Sequence, residues 1–248
     1  MALIEFQDVV KKFNGVAVLD GVTFDVRKGE VLCVVGPSGT GKSVTLKHLV
    51  RLLTPTSGRV LVDGVDVATC SGRALNGIRS RIGYLFLGGA LLAWMNVADN
   101  VALPLRECTN MDDAEIDRRV AAALESVELT DAAEKFPAEI SGGMQKRAGL
   151  ARAIVRPTND VVLYDEPTSG LDPVTSVTIN RLIKKLNREL GITSVVVTHD
   201  LQGAVAIADR ILLLKGGKVV ECSTPAEFLK SENRDVKEFL AAMKGEVQ

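Results

Sequence analysis

The sequence predicts an α/β fold with a mostly parallel sheet, an antiparallel β-rich N-terminal layer and an inserted helical subdomain. Three short runs rich in β-branched residues, at 31–35, 161–164 and 194–198, support the parallel sheet, because such runs are typical of strands buried on both faces. The chain has 248 residues, of which 46% are hydrophobic. That suits one α/β domain with an embedded subdomain, or two small domains.

The N-terminal layer is predicted from alternating segments and turn residues. Segments between Leu3 and Val26 are bounded by Asn14-Gly15 and Lys28-Gly29, which indicates antiparallel strands. Residues 59–67, with Asp63-Gly64 at a turn, follow the same pattern. We therefore expect a second, antiparallel sheet beside the parallel one.

The helical insertion is predicted between about 96 and 155, where apolar residues recur at helical spacing and strand signals are absent. A further helix is expected over 173–190, after Asp172 at its N-cap and before Gly191. We expect 1–248 to be a single domain with a core of 1–87 and 157–225, a helical subdomain of 88–156 and a helical tail of 226–248.

A glycine-rich segment between the run 31–35 and a predicted helix at 44–53 fits G-x-x-x-x-G-K-[ST] at every fixed position. Its glycines let backbone N–H groups approach a polyphosphate, the lysine adds positive charge and the serine offers a hydroxyl to Mg²⁺. We expect this loop to bind a nucleoside triphosphate through Gly36, Pro37, Ser38, Gly39, Thr40, Gly41, Lys42 and Ser43, with Thr45 in the helix that follows.

Two carboxylates follow the apolar run at 161–164, where parallel strands present their ligand sites. Next to a phosphate-binding loop, Asp165 is expected to hold Mg²⁺ together with Ser43. Glu166 is then left to polarise the attacking water. Hydrolysis, rather than binding alone, is the expected activity.

Composition excludes some partners. The formal net charge is −1 and aromatic residues make up 4%, so the chain lacks the electrostatic footprint of a nucleic-acid-binding protein. Four scattered cysteines without metal-ligand spacing are expected to be reduced thiols of a cytosolic protein, and no signal peptide is recognised.

Three further motifs resemble those of the ATP-binding cassette (ABC) ATPases. Residues 141–145, Ser-Gly-Gly-Met-Gln, are similar to the family's signature loop, 169–172 to its D-loop and 198–200 to its switch histidine. The resemblance implies a head-to-tail homodimer with ATP sandwiched between two chains. It assigns Phe13 to the adenine, His199 to the γ-phosphate or its water as a second catalytic residue, and Ser141, Gly142, Gly143 and Asp172 to nucleotide binding.

Other ionisable residues receive no functional role from the sequence. His48 lies within the helix after the phosphate loop and is expected to be a packing or surface residue. The basic residues of the helix after the signature loop are expected to be solvated, without a catalytic role: Lys146, Arg147, Arg152 and Arg156.

One position departs from the family pattern. The family has a glutamine after the strand ending at 84–86, where it reaches Mg²⁺ and reports nucleotide state to the transport partner, and this chain has Leu87. Leucine has no oxygen for a hard cation, so turnover or coupling could be reduced.

The uncharged segment 82–98 is as long as a short membrane span, but its glycines and Asn96 indicate a strand followed by a loop. Its apolar residues Leu91, Leu92, Trp94 and Met95 fit either a small local core or a docking surface for another hydrophobic protein.

Within the family, residues 85–106 and 140–151 resemble ATPase subunits of Mla/Mce-type lipid transporters. This implies an energy-coupling ATPase at the cytoplasmic face of a bacterial inner membrane, docked on a permease through residues near 82–98. The implied transporter moves phospholipid or another hydrophobic substrate, and it can include accessory and periplasmic lipid-binding subunits. The alternatives are the ATPase of another importer or exporter, a soluble cassette ATPase in nucleic-acid or cofactor-assembly work, and a nucleotide-gated module that hardly hydrolyses ATP.

Overall fold

The computed structural model describes residues 2–244, which form two sheets and nine α-helices. The strands are β1 (Ala2–Phe13), β2 (Val16–Arg27), β3 (Val31–Val35), β4 (Ser57–Val62), β5 (Val65–Asp66), β6 (Ile82–Leu85), β7 (Val161–Asp165), β8 (Thr193–Val197), β9 (Arg210–Lys215) and β10 (Lys218–Ser223). The helices are α1 (Lys42–Leu49), α2 (Arg73–Ser80), α3 (Val97–Cys108), α4 (Asp113–Ser126), α5 (Gly142–Ile154), α6 (Pro173–Leu190), α7 (Leu201–Ile207), α8 (Pro225–Phe228) and α9 (Arg234–Lys244).

The central sheet has six strands in the order β10-β9-β3-β8-β7-β6. Its pairs from β9 to β6 are parallel, and β10 joins β9 as an antiparallel edge strand. A second, antiparallel sheet has the order β2-β1-β4-β5. The predicted α/β class, with its parallel core, antiparallel layer and inserted helices, is confirmed.

The central sheet is buried on both faces, as its apolar strands predict. Along β3, Val31, Cys33 and Val35 pack with the helices of the insertion and the C-terminal half. Leu32 and Val34 pack on the other face with the antiparallel layer. Because successive side chains of a strand point to opposite faces, one five-residue strand contributes to both cores.

Two predicted helix bounds need correction. The helix expected at 44–53 runs from Lys42 to Leu49, because Gly41 adopts a positive φ of 95° that ends the loop directly before Lys42. It ends early because the chain turns at Arg51, where φ is 51° and the backbone N–H bonds back to His48. The predicted terminal helices are α8 and α9, and residues 245–248 of the predicted tail lie outside the described residues.

The uncharged segment 82–98 is β6, a loop and the first residues of α3, as the sequence predicts. No helix within 2–244 combines the length and the apolar character needed to cross a membrane. His48 is buried in α1, where Nδ1 lies 2.6 Å from the Val44 carbonyl oxygen, so the packing interpretation is confirmed. Burial lowers the pKa of this imidazole.

Candidate functional site

The candidate site lies at the carboxyl ends of three neighbouring strands, β3, β8 and β7. The phosphate-binding loop follows β3, the residues 198–200 follow β8, and Asp165 and Glu166 end and follow β7. Since these strands are parallel, their carboxyl ends meet at one edge of the sheet. The sheet therefore brings together residues that are up to 163 positions apart (36 to 199).

The glycines of the loop are required by close packing. A Cβ atom at Gly36 would lie 2.1 Å from the Leu214 carbonyl oxygen. At Gly41 it would lie 2.7 Å from Leu19 Cδ2 and 2.9 Å from the Val18 carbonyl oxygen. Gly39 has open space around it but a φ of 79°, which favours glycine. The exposed part of the loop, Pro37 to Gly39, is held by a 2.9 Å bond from Thr40 Oγ1 to the Pro37 carbonyl.

Lys42 is buried beneath this loop. Its ammonium donates to the carbonyl oxygens of Gly36 at 2.9 Å and Pro37 at 3.0 Å, and it lies 4.0 Å from Glu166 Oε1. Burial lowers the pKa of this ammonium, while the carboxylates of Glu166 and Asp165 act in the opposite direction. A desolvated cation held at the mouth of a glycine loop suits the terminal phosphates of a nucleotide.

Ser43 and Asp165 form a pair of hard oxygen donors. Ser43 Oγ lies 2.6 Å from Asp165 Oδ1, and the Tyr84 hydroxyl lies 3.3 Å from Asp165 Oδ2. Such a pair fits Mg²⁺, which usually takes one or two protein oxygens and completes its shell with phosphate and water. Thr45 is different: its buried hydroxyl donates to the Lys42 carbonyl at 2.6 Å and supports the first turn of α1.

Glu166 has a strained backbone and a well-anchored side chain. Its φ of 51° lies in the left-handed region, which costs a side-chain-bearing residue about 1–2 kcal/mol. Its N–H donates to the Val197 carbonyl at 2.9 Å, so β7 and β8 hold the residue at their common edge. Its carboxylate accepts from the His199 N–H at 3.3 Å and lies 2.7 Å from His199 Nδ1.

His199 and Glu166 therefore form a joint unit beside Lys42 and Ser43. The His199 ring is 58% exposed, whereas the Glu166 side chain is 17% exposed. When Nδ1 carries the proton and donates to Glu166, Nε2 remains as an acceptor for a ligand or water. A partly buried carboxylate next to an exposed imidazole can accept a proton from a water and stabilise the charge that develops.

The signature loop begins α5. Ser141 caps this helix by accepting from the Met144 N–H at 3.3 Å, as predicted for a helix N-terminus. A Cβ atom at Gly143 would lie 2.6 Å from Thr175 Cγ2, so this glycine allows α5 to pack against the start of α6. Within residues 2–244, no hydrogen bond or ion pair joins Ser141, Gly142 or Gly143 to the loop 36–43. The backbone N–H groups at this helix start are therefore not used by the phosphate-binding loop of the same chain.

Two other predicted nucleotide residues lie on the surface. Phe13 ends β1 with 41% of its surface exposed, and Lys11 Nζ lies 5.0 Å from its ring centroid. Asp172 caps α6, accepting from the N–H groups of Val174 and Thr175 at 3.0 Å and from the Thr175 hydroxyl at 2.5 Å. The Thr175 hydroxyl and these N–H groups hold the pKa of Asp172 below its usual range. Its carboxylate is thus already engaged as a cap.

The prediction of solvated basic residues on α5 is wrong. Lys146 is 4% exposed and its ammonium donates to the Glu166 carbonyl oxygen at 3.0 Å. The three arginines are half-buried, and their guanidinium groups donate to backbone carbonyls of neighbouring segments: Arg147, Arg152 and Arg156. α5 packs against α3, α4, α6 and β6, which helical spacing alone does not reveal.

The segment 86–96 combines an anchored backbone with exposed apolar side chains. Phe86, Leu87 and Trp94 are 37%, 61% and 73% exposed, whereas Leu91 packs against the core. Asn100, fully buried in α3, holds the loop by accepting from the Leu92 N–H at 2.7 Å and by placing its amide NH2 group within 3.1 Å of the carbonyl oxygens of Leu92, Met95 and Asn96. Part of the segment is therefore a local core, and part is an exposed apolar surface.

The chain is similar to ATP-binding proteins of transport systems. The family model described as ABC transporter matches residues 19–169. A probable ribonucleotide transport ATP-binding protein, mkl, of Mycobacterium leprae (strain TN) is 43% identical over 96% of this chain and 68% of its own length. The intermembrane phospholipid transport system ATP-binding protein MlaF of Haemophilus influenzae is 40% identical over 96% of this chain and 90% of its own.

A third relative and a solved structure complete the comparison. The methionine import ATP-binding protein MetN of Caulobacter vibrioides is 42% identical over 99% of this chain and 74% of its own length. The dimeric post-hydrolysis structure of the ATP-binding cassette MJ0796 bound to ADP and Pi has a TM-score of 0.81 and 34% identity, covering 90% of this chain and 98% of that one.

Proposed function

This chain belongs to the ABC transporter family as an ATPase subunit that uses ATP and Mg²⁺, and we propose that its transporter moves phospholipid or another hydrophobic substrate between bacterial membranes. The observation that carries the choice of cargo is the similarity to MlaF over 96% of the chain. The exposed apolar residues of 86–96 support docking on a hydrophobic permease. We place the working complex at the cytoplasmic face of the inner membrane, with accessory and periplasmic lipid-binding subunits.

We assign the chemistry to the residues at the ends of β3, β7 and β8. The loop from Gly36 to Ser43 binds the phosphates, and Lys42 turns its ammonium from the loop carbonyls to the terminal phosphates. Ser43 and Asp165 would hold Mg²⁺, which would supply neutralising charge to the phosphates. Glu166 accepts the proton of the attacking water, and His199 orients Glu166 and contacts the γ-phosphate or its water.

The second half of each ATP site comes from a partner copy of this chain. Ser141, Gly142 and Gly143 present the N-terminus of α5, whose N–H groups favour an anion.

Phe13 stacks on the adenine with its exposed ring. We also assign Asp172 to nucleotide binding. It caps the start of α6, which packs against Gly143 of the signature loop. The helical subdomain 88–156 then carries the signature loop and most of the permease-docking segment, the core comprises 1–87 and 157–225, and the tail begins at 226.

A transport assay on the purified complex tests the cargo. The tagged chain is isolated with its permease in detergent from the source bacterium and reconstituted into vesicles. We expect ATP-dependent movement of labelled phospholipid between these vesicles and acceptor vesicles, and phospholipid-stimulated ATP turnover. The same complex carrying Glu166→Gln is the matched control, and it should move no lipid.

Other cargoes are tested in the same vesicles, because the relatives mkl and MetN are named for ribonucleotide and methionine transport. Labelled ribonucleotide and methionine replace the lipid in parallel reactions. ATP-dependent uptake of either one, with no movement of phospholipid, would contradict the lipid proposal and support another importer. Stimulation of turnover by DNA without a permease would instead support a non-transport ATPase.

A further inference from the structure

The peptide unit of Glu166 needs support that the strands alone do not supply. Its φ of 51° is unfavourable for a residue with a side chain, so surrounding contacts have to maintain it. On the amino side, its N–H donates to the Val197 carbonyl at 2.9 Å. On the carbonyl side, its oxygen accepts from the Ser169 N–H at 3.2 Å and from Lys146 Nζ at 3.0 Å. The last of these contacts comes from another part of the fold.

Lys146 is a costly residue to bury at this place. Lys146 is 4% exposed, and the Glu166 carbonyl is the one hydrogen-bond acceptor of its ammonium among the described residues. Burial lowers its pKa, and the nearby carboxylates of Glu166 and Asp165 act in the opposite direction. A buried ammonium destabilises the fold unless it is paired. Its hydrogen bond to the Glu166 backbone therefore points to a role in that site.

The helix that carries Lys146 links two different halves of the chemistry. α5 begins at the Ser141 cap, and Lys146 follows five residues later, between one and two turns into the helix. Gly143 packs against Thr175 at the start of α6, so the first turn is fixed. α5 therefore joins the Ser141 cap to the Lys146 ammonium and, through it, to the Glu166 peptide.

We propose that Lys146 is a positioning residue that holds the Glu166 peptide in its left-handed conformation and ties the catalytic carboxylate to the helix of the signature loop. This rests on the proposed role of Glu166 as the general base. Lys146 touches the backbone of Glu166 and not the reacting atoms. It acts on the rate through the direction in which the Glu166 side chain leaves its backbone, and misplacing a catalytic group by about 1 Å costs about 100-fold in rate.

The test compares Lys146→Met, which keeps the length and removes the charge, with Lys146→Arg, which restores a cationic donor. Arg156→Met is the matched control, because Arg156 also donates to two backbone carbonyls, at 3.0 and 2.7 Å, after the other end of α5. ATP turnover, ATP affinity and the melting temperature are measured for each. We expect Lys146→Met to lower kcat about 10–100-fold with ATP affinity within about twofold. Lys146→Arg should recover most of the rate, and Arg156→Met should keep it.

Double variants separate positioning from damage to the fold. If Lys146 acts only through Glu166, Lys146→Met should reduce turnover no further in a Glu166→Gln background. ATP-driven dimer formation by that double variant, followed by light scattering, should equal that of Glu166→Gln alone. Additive losses of rate, or a loss of dimerisation, would overturn the proposal and make Lys146 a structural residue of α5.

Two further outcomes are informative. If Lys146→Met melts at a much lower temperature than Arg156→Met, Lys146→Gln replaces it, because the amide is neutral and can still donate to the carbonyl. A Lys146→Gln protein with full kcat would show that a donor without charge suffices. A Lys146→Gln protein with the lowered kcat expected of Lys146→Met would show that the reach or the charge of lysine is required. A stable Lys146→Met protein with normal kcat would refute the proposal. Turnover by Glu166→Gln at the wild-type rate would refute the role of Glu166 itself, and this proposal with it.

Discussion

The N-termini of α1 and α5 are both predicted anion sites, yet they are equipped differently. At α1, buried Lys42 lies near Glu166, and Ser43 contacts Asp165 at 2.6 Å. At α5, the Ser141 hydroxyl is used as a cap and Gly142 is exposed. One terminus has the charge, the metal ligands and the base, and the other has backbone donors and little else.

This difference indicates how the two termini divide the work. Backbone N–H groups at a helix start can bind a phosphate, but they cannot supply a metal ligand or accept a proton. The α5 terminus is therefore suited to completing a site whose chemistry is supplied elsewhere. The dimeric MJ0796 cassette, a relative with 34% identity, supplies the assembly in which such a division makes sense.

The largest expected effects come from the α1 side. Lys42→Ala removes the buried cation beneath the loop and should abolish ATP binding. Glu166→Gln keeps the shape but removes the proton acceptor, so it should bind ATP normally and turn it over about 10²–10⁴ times more slowly. Titration with a fluorescent ATP analogue and a phosphate-release assay measure the two properties separately.

Lys47→Ala is the matched control for Lys42→Ala, because Lys47 lies on the same helix and is only partly buried. It should bind and hydrolyse ATP like the wild type. If Lys42→Ala and Glu166→Gln lost binding equally, the separation of phosphate binding from proton transfer would be wrong.

The α5 side should fail in a different way. Ser141→Arg places a long side chain at the signature loop without touching Lys42 or Asp165, so ATP binding by one chain should persist while dimerisation and turnover are lost. Light scattering with saturating ATP in a Glu166→Gln background measures dimerisation. The comparison of the two termini would be broken by a Ser141→Arg protein that dimerises and hydrolyses ATP normally.

Thr224→Arg controls for the loss of a helix cap in that experiment. Thr224 is an exposed cap of α8 that accepts from the Glu227 N–H at 3.4 Å, and its loss should cost about 1 kcal/mol of stability, as the loss of the Ser141 cap does. A similar fall in melting temperature for both variants, with dimerisation lost only in Ser141→Arg, would assign the effect to the signature loop.

The sequence was sufficient for the α1 side because that chemistry is local. Gly36 to Ser43 lie within eight residues, and the parallel strands β3, β8 and β7 can be recognised by their apolar runs, so the meeting of Lys42, Asp165 and His199 follows from the sheet. The bounds of α6 were predicted to the residue, since Asp172 caps its start and Gly191, at a φ of 63°, ends it.

The sequence was insufficient where a side chain's role depends on which face of a helix is covered. The basic residues of α5 were expected to be solvated, but α5 packs against α3, α4, α6 and β6, and Lys146 donates to the Glu166 carbonyl. Asn100 gives no sequence signal either, because its polar contacts with the 92–96 loop depend on how that loop folds back on α3.

The smallest expected effect concerns Leu87, which lies in the chain between β6 and the rest of the exposed apolar segment 86–96. Leu87 is 61% exposed and follows Phe86, whose ring stacks on Tyr84 at 4.0 Å, and Tyr84 in turn contacts Asp165. If the lack of a side-chain oxygen limits the positioning of Mg²⁺ and water, Leu87→Gln should raise kcat or lower the Mg²⁺ concentration required for turnover, with ATP affinity unchanged. The expected change in the activation barrier is roughly 0.5–3 kcal/mol. Leu87→Met, which stays apolar and adds no oxygen, is the control. Turnover against Mg²⁺ and affinity for the permease are measured together, and an unchanged Mg²⁺ dependence with weaker permease binding would make Leu87 a docking residue.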